Sequence, residues 1–171
     1  VLENFSGIDL RQRGVHGVQA DISIRGGSFD QNLILLNGVN ISDPQTGHHS
    51  LNLPVDIHSV ERIEILEGSG SRVFGPNAFS GAINFITNQA DENYTKLNLS
   101  FGDFGLFSSN LSSAYRIKNT RHFLSFSKSG SNGYTQNTDF DQYNLFYHLN
   151  YDSDFGKIDF QSGFTDKQFG A

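Results

Sequence analysis

The side chains best able to do chemistry are few and scattered. There are six histidines. His48 and His49 are adjacent, so in extended backbone they point to opposite sides and do not readily share one metal. In a loop they could, with Asp43 the one carboxylate at ligand spacing. His16, His58, His122 and His148 are isolated and read as ordinary polar positions. Asn137-Thr138-Asp139-Phe140-Asp141 offers two or three oxygen ligands, the donors that calcium takes. Asp139 and Asp141 fall short of a shell of about six to eight oxygens, and the same pair reads as a solvated loop. No nucleophile, base and orienting acid can be grouped from chain order. Gly68-Ser69-Gly70 lacks the strand-to-helix setting of a nucleophile elbow. Gly14-Val15-His16-Gly17 has neither a following helix nor a phosphate-pairing Lys. An enzyme is therefore not expected. Residues 37–53, NGVNISDPQTGHHSLNL, are the better binding candidate, because they follow a buried strand and are dense in hydrogen-bonding groups. The plain alternative for them is a solvated connector.

The elements that would hold such loops are strands. Residues 60–87, VERIEILEGSGSRVFGPNAFSGAINFIT, set apolar Val60, Ile63 and Ile65 among charged Glu61, Arg62, Glu64 and Glu67, then end in a β-rich, mostly buried run. Between the arms lie Gly68, Gly70, Gly75, Pro76, Asn77 and Gly81. That connection is far longer than the roughly two to five residues of an ordinary hairpin. Residues 89–93 are polar and mark a boundary. Beyond them five segments alternate with period two: 94–101, 107–115, 122–128, 143–151 and 157–164. Their connections are alternately tight (118–120, 152–156) and long (129–141), and Tyr94, Phe101, Phe107, Tyr115, Tyr143 and Tyr151 sit near strand ends. Short turns, long loops and aromatic girdles are the pattern of a transmembrane barrel, although a soluble sandwich generates the same alternation.

Composition narrows the field. The chain has 171 residues, no Cys, Met or Trp, 16 Phe and 18 Gly, with a net charge of −6. Disulfides and thiolate metal sites are excluded. No Lys/Arg run is present, which weighs against nucleic acid as a partner. No apolar run approaches the ~20 residues of a spanning helix, but a spanning strand needs only about 10.

The pattern ERIEILEG…FG…GAINFIT closely resembles the end of the plug domain in TonB-dependent outer-membrane receptors. Upstream, Asp21-Ile22-Ser23-Ile24-Arg25-Gly26 followed by Leu33-Ile34-Leu35-Leu36-Asn37-Gly38-Val39 is similar to the family's paired plug strands, and Gly7-Ile8-Asp9-Leu10 to its opening. Asn37 stands where Asp is common, and Ser80 where a second glycine often lies.

The resemblance implies a mainly β chain: a small mixed α+β plug sheet with Gly-rich loops over 1–88, a linker at 89–93, and over 94–171 the first five or so antiparallel strands of a transmembrane barrel. Plugged barrels close with about 22 strands, so the chain is expected to be incomplete and to lack the N-terminal coupling box. It implies energised uptake of a scarce, bulky nutrient such as a siderophore or cobalamin across the Gram-negative outer membrane. The implied partners are that nutrient, a TonB-type energy-coupling protein and outer-membrane lipid. Arg13, His16, Gln19, Asp43, Gln45, His48 and His49 are the substrate-binding candidates, on two loops at one end of the plug. Arg25, Arg62, Glu64 and Arg72 fall in plug motifs and are expected to be paired, structural or gating residues. Cobalamin receptors of this family use loop aspartates with calcium, which keeps Asp139 and Asp141 open. The competing reading is a soluble or surface-displayed β-sheet binding module without transport.

Overall fold

A computed structural model describes residues 2, 5–13, 19–42, 51–87 and 92–170. The chain forms two compact units: 1–53 with 62–87, and 54–61 with 88–171.

In the first unit β1 (Ile8–Arg13) and β2 (Gln19–Ile24) form an antiparallel hairpin. Its pairing sets Ile8 against Ile24 and Leu10 against Ile22, with Asp9, Arg11, Asp21 and Ser23 on the other face. Beside it lies a four-stranded sheet in the order β4 (Val39–Asn40), β3 (Asn32–Leu36), β6 (Gly81–Thr87), β5 (Val60–Glu67). β3 and β6 run parallel, from Asn32 opposite Gly81 to Leu36 opposite Phe85. Every residue of β3 is buried, as the unbroken apolar run LILL requires of a central strand. Asn37 and Gly38 close the β3–β4 hairpin with φ of 50° and 83°, the two-residue geometry that Asn-Gly favours. Leu33, Leu35, Ala78 and Ala82 pack together in the core.

One expectation changes here. The plug strands make two sheets instead of one. β2 bonds to β1 along one edge, and the buried side chain of Asn32 meets its other edge, donating to Ile22 O (3.1 Å) and accepting from Ile24 N–H (3.3 Å). Ile63 and Ile65 are only half-buried because β5 is an edge strand, whereas Ile22, Ile24, Leu33, Leu35, Ile83 and Phe85 are core.

The second unit is a five-stranded antiparallel sheet in chain order: β7 (Tyr94–Phe101), β8 (Phe107–Ile117), β9 (Thr120–Ser131), β10 (Phe140–Ser153) and β11 (Gly156–Phe169). Two-residue turns join β8 to β9 and β10 to β11, and the longer connections, 102–106 and 132–139, lie at the other end. The last two strands run 14 residues each. They outlast the apolar alternation because polar residues such as Asp141 and Thr165 keep pairing through the backbone.

Register sorts the side chains into rows. Leu97, Leu111, Phe126, Leu145 and Phe164 lie directly opposite one another across all five strands, 42–61% exposed. The same face carries Leu99, Leu124, Tyr147, Leu149, Ile158 and Phe160. The opposite face carries the row Asn98, Asn110, Ser127, Asn144, Thr165. Asn110, Ser112, Ser125, Ser127, Asn144 and His148 on that face are 1–5% exposed. The polarity is inverted: a soluble sandwich buries an apolar face, whereas this sheet exposes its apolar rows and covers a face of polar residues interspersed with Phe123, Phe140 and Phe146. Tyr143 to Tyr151 spans eight residues, ~26 Å along the strand and ~20 Å across a bilayer at a tilt near 40°, close to the ~25 Å apolar band of outer-membrane barrels.

Candidate functional site

The plug-type unit gathers its polar groups around the ends of β3, β5 and β6. Asn37, held at positive φ by the turn, accepts from the Thr87 N–H (2.8 Å) and hydroxyl (3.1 Å), while its own N–H donates to Phe85 O (2.8 Å). Where the resembled pattern carries Asp, the carboxamide oxygen supplies the acceptor. The next strand residues extend the network: Asn84 accepts from Gly38 N–H (2.9 Å) and donates to Glu64 (3.0 Å), and Glu64 accepts from Arg62 Nε (3.0 Å). The hydrogen bond from Arg62, then that from Asn84, holds the Glu64 carboxyl below its ordinary value of 4.5. At the other end of β5, Arg25 (φ 50°) pairs with Glu67 at 2.6 Å, and its N–H donates to Gly7 O (2.7 Å). Ser80 is tolerated because residue 27 is glycine; any Cβ there would overlap the Ser80 side chain.

Arg25, Arg62 and Glu64 are thus paired, as expected, but on exposed surface and not in a core, and Arg72 is exposed. Exposed pairs of this kind add little to stability, so local geometry holds them, not the cost of a buried charge. Sequence reasoning did not name their partners Glu67 and Asn84.

Of the substrate-binding candidates, His16, Asp43, Gln45, His48 and His49 lie outside the described residues. Arg13 and Gln19 are opposite partners at the end of the β1–β2 hairpin where residues 14–18 connect the strands, and their side chains lie outside the description as well. The polar face of that hairpin, with Asp9, Arg11, Asp21 and Ser23, lines a cleft of about 490 Å3. At the long-loop end of the five-stranded sheet, Asp139, Asp141, Asn137 and Gln168 line a second cleft of about 720 Å3 together with Lys128. A lysine there competes with a cation for the carboxylates. Among the described residues no group of three or more His, Asp or Glu side chains gathers to hold a metal. His122 bonds the Tyr147 hydroxyl (2.8 Å) and His148 bonds Asp159 (2.8 Å), so both act as polar positions.

Comparison with known proteins bears directly on this architecture. Residues 1–82 match the family described as "TonB-dependent Receptor Plug Domain". The vitamin B12 transporter BtuB of Vibrio vulnificus is 36% identical over 91 residues, 53% of this chain and 15% of that transporter. These matches support a fragment of a TonB-dependent receptor. The relative from Vibrio cholerae serotype O1 is 32% identical over 87 residues, 51% of this chain and 14% of its own length. The chain therefore spans only about a seventh of the curated relatives it matches. Solved receptors share the fold across nearly all of it. The copper transporter OprC superposes with a TM-score of 0.77 at 19% identity, covering 99% of this chain and 28% of its own. The pyoverdine receptor FpvA of Pseudomonas aeruginosa PAO1 gives 0.74 at 16%, covering 94% and 24%. These relatives are transporters and receptors of the Gram-negative outer membrane.

Proposed function

We propose that this TonB-dependent receptor chain serves energised import of a scarce, bulky nutrient, of the cobalamin or ferric-siderophore class, across the outer membrane. A plug-type unit continuing directly into an inside-out sheet is the observation that carries the reading. Residues 1–88 act as the plug, 89–93 as linker and 94–171 as barrel wall. Substrate binds at the loops holding Arg13, His16, Gln19, Asp43, Gln45, His48 and His49, and a TonB-type protein pulls the plug from the periplasm. The hydrogen-bonded ends of β3, β5 and β6, with Arg25, Arg62, Glu64 and Arg72, are where such a pull is resisted or relayed. Lipid is the partner of the apolar belt, and nucleic acid has no role.

The test is uptake by cells carrying the full-length receptor, with labelled cyanocobalamin and a panel of ferric siderophores, with and without the coupling protein. Accumulation of one compound that requires both receptor and coupling protein is expected. Equal accumulation of every compound with or without the receptor overturns the reading.

A further inference from the structure

Residues 54–61 fall within the match to the plug family, yet they cluster with the barrel-wall sheet. Three features seat them there. Pro54 rests on β11 at Gly163, where a Cβ would come within 2.6 Å of the proline ring, so the strand is open to it only because residue 163 is glycine. Val55 is buried. Asp56 caps the single 3-10 turn Ile57–Ser59, accepting from His58 N–H (2.8 Å) at its side chain and from Ser59 N–H (2.9 Å) at its carbonyl. Ser59 in turn bonds the wall. Its hydroxyl lies 2.6 Å from that of Ser125 on β9 and accepts from Asn110 Nδ2 on β8 at 3.0 Å, and all three residues are no more than 2% exposed. Buried hydroxyl and amide groups that lose one partner stay desolvated, so this triad opens as a unit or not at all.

We propose that residues 54–61 are a fixed clip, plug by sequence and wall by mechanics, which stays seated while the rest of the plug is remodelled. The boundaries between the two compact units then fall between Leu53 and Pro54 and within β5 between Glu61 and Arg62. The functional consequence rests on the transport reading above; the mechanical partition does not.

Native-state hydrogen exchange over a urea series on the full-length receptor in detergent micelles tests it. The amides of His58 and Ser59 should open with those of β8 and β9, at higher urea than those of β3 and β6. Opening together with β3 and β6 overturns the proposal. Ser59→Ala should speed exchange at His58 and Ser59 at least tenfold and leave β8 and β9 unchanged; unchanged exchange at His58 and Ser59 also overturns it. A disulfide between Ser59→Cys and Ser125→Cys gives an arm that locks the segment to the wall instead of freeing it. Once closed, it should leave the opening midpoint of β3 and β6 where it was, and an upward shift would mean that releasing the segment is part of plug opening. Exchange needs neither substrate nor energy, so a failed uptake experiment sinks the transport reading alone.

Discussion

Asn32→Leu should uncouple the β1–β2 hairpin from the plug sheet. Asn32 is buried; its amide donates to Ile22 O (3.1 Å) and Ser28 O (2.7 Å), and its oxygen accepts from Ile24 N–H (3.3 Å). Leucine keeps the volume and removes all three bonds. Each buried backbone group left without a partner costs about 1–3 kcal/mol. Ile22 and Ile24 are fully buried and Ser28 is not, so two groups carry the effect, roughly 2–6 kcal/mol in all. At 1.4 kcal/mol per decade this is about 30-fold or more in the local opening constant. Hydrogen exchange of β1 and β2 amides in the full-length receptor measures it, with β8 and β9 amides as the internal standard. Exchange of β2 within threefold of the parent, in a receptor whose wall is unaltered, would refute the role given to Asn32.

Leu124→Arg places a charge at the middle of the exposed apolar belt, opposite Tyr147. It should lower the stability of the membrane-inserted receptor by about 2–4 kcal/mol, read as a lower urea midpoint in vesicles; an unmoved midpoint contradicts lipid exposure there. Glu64 has a lowered folded pKa, so its contribution is complete above its ordinary 4.5 and is lost only as pH falls through the lower folded value. Glu64→Gln should therefore remove that small contribution at neutrality and flatten the acid limb of plug opening below pH 4.5, and an identical acid limb would count against the Arg62–Glu64–Asn84 network. Replacing His48 and His49 together with Ala in the full receptor should weaken substrate affinity about tenfold, roughly 1.4 kcal/mol, without altering insertion. Full affinity would move the site to other loops.

What the sequence disclosed was whatever repeats locally. Alternation exposed β7 to β11 because one face of every strand, Leu97-Leu99 or Leu145-Tyr147-Leu149, meets a single environment. The β5 and β6 arms stood out through their charged edge and Gly-rich turn. The partition of the plug into two sheets was hidden, because it turns on one asparagine reaching backbone ten residues away. The seating of 54–61 was hidden likewise: Pro54, Asp56 and Ser59 look like loop residues, and their partners Gly163, Asn110 and Ser125 are distant in the chain. Choosing barrel over sandwich from alternation alone was out of reach, since period two does not say which face is covered. The burial of Asn110 and Asn144 against the exposure of Leu111 and Leu145 does.

That inversion can be measured on neighbouring residues. Asn144 and Leu145 are consecutive on β10 and point to opposite faces. Asn144→Cys and Leu145→Cys in the full-length receptor, assembled in the outer membrane, would be exposed in turn to a lipid-dissolved thiol probe and a membrane-impermeant one. The lipid probe should label position 145 and spare 144, and the impermeant probe should not reach 145 until the membrane is dissolved. Rapid labelling of 145 by the impermeant reagent in intact membranes would contradict a lipid-facing wall and, with it, the receptor architecture described above.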